Sequence, residues 1–159
     1  MERLWAPWRM KYILGEKSNG CIFCNGAGSD DDRKSLVLHR GEKCFVMMNQ
    51  FPYNNGHVMI APFRHEARLE DLDEDESLDL MRLLQLSVRA MGKVLNPHGF
   101  NVGINVGQVA GAGVADHVHM HVVPRWGGDT NFMPVLSETK VINEELERTY
   151  CKLIEGFRS

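Results

Sequence analysis

Residues His117-Val118-His119-Met120-His121-Val122-Val123 alternate imidazole with aliphatic side chains. An extended chain puts such an alternation to use, because successive side chains of a strand point to opposite faces. The pattern predicts a strand over residues 117–123, with three imidazoles on one face and Val118, Met120 and Val122 on the other. Seven histidines occur in the chain, and three of them fall within these five residues. A half-buried strand with a polar face accounts for the alternation but not for the residue type, since Thr, Lys or Glu would serve as well. A three-histidine metal site meets a geometric obstacle. Same-face neighbours on a strand lie about 6.6 Å apart and the outer pair about 13 Å apart. Ligand nitrogens sit about 2.0–2.1 Å from zinc, so one strand offers two converging imidazoles but hardly three. The third reading divides the labour: the middle imidazole attacks an electrophile while a flanking one binds or protonates the substrate. With an ordinary pKa of about 6.5, much of the imidazole is neutral near pH 7 and keeps a nucleophilic lone pair. A neutral nitrogen also approaches a phosphate with less repulsion than an anion meets, and covalent catalysis by histidine splits one hard step into two easier ones.

Immediately upstream runs Asn105-Val106-Gly107-Gln108-Val109-Ala110-Gly111-Ala112-Gly113. Glycines at 107, 111 and 113 let the backbone approach a ligand, with N–H groups free to form an anion nest. The stretch lacks Gly-Lys-Ser/Thr and is no Walker A loop. By itself it reads as a flexible turn; leading into the histidines, it makes Gly111 and Gly113 candidates for phosphate binding.

Cys21-Ile22-Phe23-Cys24 is a Cys-x-x-Cys pair. No βαβ pattern surrounds it, which disfavours a redox motif. Two reduced core cysteines are one reading. The other is a zinc site, which needs two more ligands, and His65 and His117 are the candidates; a Cys2His2 set would be a closed structural site and would withdraw His117 from the chemistry. Cys44 and Cys151 stand in apolar surroundings and read as packing residues.

Strands are expected at residues 35–39, 44–49, 57–61 and 100–106 besides 117–123, each rich in Val, Ile, Met or Phe between turn formers. Asn54-Asn55-Gly56 is the turn signal ahead of the third. Apolar residues at helical spacing predict a helix over 74–95, opened by a capping box of Asp73 and Glu76 and stopped at Asn96-Pro97; a shorter helix is expected over 143–154. Residues 25–32, rich in Gly, Ser and Asp, read as a mobile surface loop with a solvated acidic run. Strands interrupted by one long helix indicate an α+β meander with helices packed on one face.

At 159 residues a single domain is expected. Eighteen Lys and Arg against 21 Asp and Glu give a net charge of -3, which argues against a dedicated nucleic-acid binder. No stretch reaches the ~18 apolar residues of a membrane span, and the start has no signal-like apolar region. A cytoplasmic protein with no membrane partner is the expectation, and its cysteines are then thiols or metal ligands rather than a disulfide framework.

These motifs resemble the histidine triad (HIT) family, whose signature alternates three histidines with apolar residues and is matched by His117 to Val123. Asn55-Gly56-His57-Val58-Met59-Ile60-Ala61-Pro62 is similar to the family's second motif. The flanks Leu4-Trp5-Ala6-Pro7-Trp8-Arg9-Met10, His98-Gly99-Phe100-Asn101-Val102-Gly103 and Arg125-Trp126-Gly127-Gly128-Asp129-Thr130-Asn131-Phe132 resemble the bacterial diadenosine tetraphosphate phosphorylase group, close to the fragile-histidine-triad hydrolase branch. The resemblance implies one HIT domain over 1–159, with an N-terminal extension (1–20), a zinc-knuckle-like loop (21–34) and a core (35–159). It implies a five-stranded antiparallel sheet with one long and one C-terminal helix, paired with a second sheet in a homodimer. Position by position, it makes His119 the nucleophile on the α-phosphorus of a nucleotide. His121 contacts the phosphate and helps the leaving group, and His57 supports the cluster. Asn49 falls where ribose hydroxyls are held and Asn105 where phosphate is held, with Trp126 in the substrate-binding flank. Cys21, Cys24, His65 and His117 match the zinc ligands of zinc-bearing relatives. One departure stands out: relatives usually carry Gln or Ser where this chain has Gly113.

The expected activity is cleavage of dinucleoside polyphosphates, such as diadenosine tetraphosphate or triphosphate, through a nucleotidyl-His119 intermediate that water or phosphate resolves, releasing AMP or its phosphorylated form. Structural zinc is expected and no redox cofactor. Alternatives are a zinc-stabilised purine nucleotide-binding protein, a nucleoside phosphoramidate hydrolase, and a metallohydrolase with the histidines on a catalytic zinc.

Overall fold

A computed structural model describes residues 20–129, 142 and 144–159 of the chain. Five strands, β1 (Val37–Arg40), β2 (Cys44–Met48), β3 (Val58–Pro62), β4 (Gly99–Ile104) and β5 (Met120–Arg125), make one antiparallel sheet in the order β1-β2-β3-β5-β4. Among the described residues three α-helices accompany it: α1 (Ile22–Ala27), α2 (Glu74–Leu95) and α3 (Leu146–Arg158). The α+β architecture, the five-stranded antiparallel sheet, the one long helix and the C-terminal helix agree with expectation; a meander with helices on one face does not, because β5 pairs with β3 ahead of β4 and α1 packs Phe23 on the opposite face. Among the described residues no helix is long and apolar enough to cross a membrane.

Strands β2 and β3 are buried along their whole length because both faces of the sheet are covered there. Cys44, Val46, Met48, Val58 and Ile60 turn to one side and pack with Leu80, Leu83, Met91 and Leu153 of α2 and α3. Phe45, Met47, Met59 and Ala61 turn to the other side, where Phe23 of α1 covers them. Helix α1 is short and reaches only this part of its face; beyond it, over β3, β5 and β4, the histidines line the sheet.

The capping box opens α2 as expected: Asp73 accepts from the Glu76 N–H at 2.7 Å, and Glu76 accepts from the Asp73 N–H at 3.0 Å. Glu76 also takes a bidentate bond from Arg64 at 2.8 and 2.9 Å, fastening this helix end to the segment that carries His65. Gly56 has φ +77°, a conformation that glycine adopts without strain, so the turn before β3 favours glycine.

Several boundaries differ from the sequence reading. β1 begins at Val37, not residue 35, because the Leu36 N–H closes a turn onto Arg33 and Leu36 itself has φ +60°. β4 spans Gly99–Ile104, so Asn105 and Val106 leave the sheet. The C-terminal helix starts at Leu146 and passes Ile154 to end at Arg158, with Asn143 outside the described residues; Gly156 survives inside it because α2 lies so close that a Cβ would stand 2.6 Å from the Ala90 carbonyl oxygen. Residues 25–27 belong to α1 rather than to a loop. Arg40 donates to the carbonyls of Gly26, Ala27 and Ser29 and pairs with Asp32, while Asp30, Asp31 and Asp32 stay exposed, as a solvated acidic run predicts. Cys44 is buried as expected, but Cys151 is exposed on α3 and is no packing residue. The N-terminal flank 4–10 and residues 130–132 lie outside the described residues.

Candidate active site and metal centre

Cys21 is the N-cap of α1 and Cys24 lies one turn on, so the short helix turns both thiols to the same side. His65 follows the end of β3 and His117 precedes β5, which brings four residues from three segments together. Cys21 Sγ lies 3.2 Å from His117 Nδ1, Cys24 Sγ 3.2 Å from His65 Nδ1 and 3.7 Å from His117 Nδ1, and all four donor atoms fall within 4.8 Å of one another. Tetrahedral zinc with bonds of about 2.0–2.3 Å separates its ligand atoms by about 3.3–3.8 Å. Cys2His2 is also a donor set that zinc accepts. His117 Nε2–H donates to the Pro62 carbonyl at 2.9 Å, which leaves Nδ1 to face the thiols, and burial pushes the pKa of the ring down. The residues fit a metal.

The three imidazoles do not share one strand face. The ladder of β5 begins at Met120, so His117 and His119 stand ahead of it, and His121 alone is paired, opposite Met59 of β3 and Gly103 of β4. The reason is tertiary: His117 is drawn to the cysteines, and the Val118 N–H bonds to the Glu66 carbonyl at 2.7 Å rather than to a strand. His117 thus lies with the cysteines, apart from the ladder that holds His121.

Obligate donors and acceptors fix the tautomers of the remaining histidines. His119 Nδ1 lies 2.8 Å from the His117 carbonyl, so it carries the proton and Nε2 carries a lone pair. The Tyr53 N–H, 3.0 Å from His57 Nδ1, makes that nitrogen an acceptor, and the Asn49 amide group lies 3.4 Å from it. His57 therefore donates from Nε2 to His121 Nδ1 at 2.9 Å, and His121 keeps its own proton on Nε2. The rings of His119 and His121 meet edge-on, with centroids 4.8 Å apart. Burial lowers the pKa of both; for His121 burial and then the neighbouring His119 push it down to about 4. The hydrogen bonds thus set one ring with a lone pair beside a second with an N–H.

The other expected residues divide into two sets. Asn49 adjoins the cluster: its Oδ1 accepts from the Phe51 N–H at 2.8 Å and its backbone N–H bonds to the His57 carbonyl. Asn105 reaches across the glycine stretch to the Gly111 carbonyl at 3.4 Å. Gly107 (φ +85°) and Gly111 (φ +94°) bend the chain around a turn at Gln108–Ala110, and a Cβ on Gly113 would meet nothing within 4 Å. Trp126 stands apart, beyond the far end of β5, with its indole N–H on the Asn96 carbonyl at 3.2 Å. Three contributors escaped the sequence reading. Phe23 carried a signal, its place inside the Cys-x-x-Cys pair. The Tyr53 N–H and the Arg64–Glu76 clamp carried none, because a backbone donor and a long-range ion pair leave no pattern in the chain.

A model of the HIT domain matches residues 31–128. Over 157 residues, covering 94% of this chain and 80% of the relative, the sequence is 40% identical to a protein of Mycobacterium tuberculosis (strain CDC 1551 / Oshkosh) named AP-4-A phosphorylase. It is 33% identical over 114 residues, 72% of this chain and 59% of the relative, to a Schizosaccharomyces pombe protein named bis(5'-nucleosyl)-tetraphosphatase [asymmetrical]. Among solved structures, a Zn-bound histidine triad family protein from Mycobacterium smegmatis superposes with a TM-score of 0.70 at 25% identity, covering 87% of this chain and 94% of that one.

Proposed function

The chain belongs to the HIT domain family, and on that premise we propose that it is a nucleotidyl hydrolase or nucleotidyltransferase that cleaves dinucleoside polyphosphates. Relatives named for a phosphorylase and for a tetraphosphatase both support this substrate class. The observation that carries the mechanism is the opposed tautomers of His119 and His121: a lone pair on one ring beside an N–H on the next.

His119 Nε2 attacks the α-phosphorus of the bound nucleotide. An N–P bond forms while the bond from that phosphorus to the bridging oxygen breaks, and its electron pair leaves with the departing polyphosphate. The His121 N–H donates to the oxygens on which charge collects. Water or inorganic phosphate then attacks the same phosphorus, the N–P bond breaks, and the His119 lone pair is restored. Asn49, Asn105, Gly111 and Gly113 are proposed to hold the substrate; Trp126, bonded to the Asn96 carbonyl beyond the far end of β5, stands outside that set. Cys21, Cys24, His65 and His117 are proposed to hold a structural zinc, which when bound ties α1 to the segments before β5 and after β3. The Zn-bound relative supports this. β4 is a sheet edge, with Val102 45% exposed on it, which supports pairing with a second copy in a homodimer.

Mass spectrometry of the quenched protein after mixing with diadenosine tetraphosphate, with and without phosphate, tests the reading. Adenylyl mass on the peptide containing His119 is the expected result, with ADP replacing AMP as the phosphate-dependent product if the acceptor is phosphate. His119→Ala should lose at least about a thousandfold in activity; turnover close to wild type in that variant refutes the assignment. Gly113 favours a second reading, since it offers no side chain to a phosphate: a nucleotide-binding protein with little catalysis, recognised by tight retention of diadenosine tetraphosphate without product.

A further inference from the structure

Phe23 lies between the two cysteines of the metal cluster and is fully buried. Its ring centroid is 4.6 Å from that of His119 and 5.1 Å from that of His117. Behind it stand Val37, Phe45, Met47, Met59 and Ala61, so the ring has no room to withdraw. The His119 imidazole has two torsions to restrain. The bond from Nδ1–H to the His117 carbonyl sets the direction of one ring edge, and between Phe23 and His121 the ring is held from two sides. Two of these restraints, the carbonyl and the Phe23 ring, originate at the metal cluster. The carbonyl belongs to one of its four residues, His117, and the aromatic wall sits on the helix that carries two more, Cys21 and Cys24.

We infer that Phe23 is a positioning residue for His119: the cysteine pair and its metal hold an aromatic wall that keeps the His119 Nε2 lone pair aimed into the site. The inference rests on the reading of His119 as nucleophile given above. It assigns the Cys-x-x-Cys segment a part in the reaction, through a side chain that touches neither substrate nor metal.

The test uses the full-length zinc-loaded protein and Phe23→Leu, which keeps an apolar side chain but removes the flat ring. Zinc content should stay at the wild-type level and KM within about twofold, while kcat falls about ten- to hundredfold, the scale of loss when a reacting group is misplaced by about 1 Å. Long-range proton–nitrogen NMR should show His119 leaving a single Nδ1–H form for a mixture of tautomers, a signature that mere loss of stability does not produce. Phe23→Met, similar in volume to leucine but unbranched and more adaptable to the core, provides the same readings should the leucine variant fail to fold. In the wild-type protein, nuclear Overhauser contacts between the Phe23 ring and the His119 imidazole are expected, and their absence overturns the inference without any variant. Wild-type kcat with an unchanged His119 spectrum overturns it, and so does a loss of activity that matches a loss of zinc. His119→Ala separates the two failures. If that variant is inactive while Phe23→Leu is fully active, the positioning role falls alone; if it is active, the nucleophile itself is wrongly assigned.

Discussion

His57 Nε2 stands 2.9 Å from His121 Nδ1, and the Tyr53 N–H on the far side of the His57 ring leaves this bond one polarity. The proton must lie on His57, so His121 is obliged to present its own N–H at the other ring edge. A backbone amide thus decides, through two rings, which atom the site offers.

His57→Ala should release that constraint. Loss of one hydrogen bond of this kind is worth about 1–3 kcal/mol, and at 1.36 kcal/mol per decade kcat on diadenosine tetraphosphate should fall about ten- to a hundredfold. Steady-state kinetics provide the check, with KM moving less than kcat.

Acid should destabilise the protein earlier than its carboxylates alone require. Unfolded histidine titrates near pH 6.5, whereas folded His121 is pushed down to about 4. Between these values the unfolded chain binds more protons, so stability rises with pH across the window and is lost as pH falls from about 6.5 toward 4. Glu76 adds a second slope of the same sign below about pH 4.5, because Arg64 holds its carboxyl below the usual range. Thermal midpoints measured from pH 7 to 4 should fall, and the slope above pH 5 should be shallower in His121→Asn.

Zinc removal should lower stability. Zinc at about a hundred times its dissociation constant contributes about 3 kcal/mol, which at this chain length is about 5–10 °C in the melting midpoint. Calorimetry with and without a chelator measures it. Cys24→Ser and His65→Ala should melt at the chelated value and no longer respond to chelator.

Alkylation should rank the four thiols. Cys151 is exposed and should label first. Cys21 and Cys24 should be protected by zinc and label after chelation. Cys44 is buried, with its thiol pushed up to about 12 by desolvation, and should label only on unfolding. Peptide mass spectrometry after timed alkylation reads the order; early modification of Cys44 would contradict the core described here.

Local chemistry determined much of this protein without help. The capping box at Asp73 and Glu76 marked the start of α2, because both partners lie within one turn. The apolar runs of β2 and β3 and the Cys-x-x-Cys pair were equally legible, since each signal is a spacing along the chain. Tertiary structure decided the rest. Alternation of His117, His119 and His121 predicted one shared strand face, yet the sheet takes up only the last of them, because the pull of two distant thiols on His117 is invisible in a period of two. The direction of the His57–His121 bond depends on the Tyr53 amide, and the setting of His119 on Phe23, 96 residues away in sequence. A hydrogen bond has a direction, and a packed ring has neighbours; both are properties of space rather than of order along the chain.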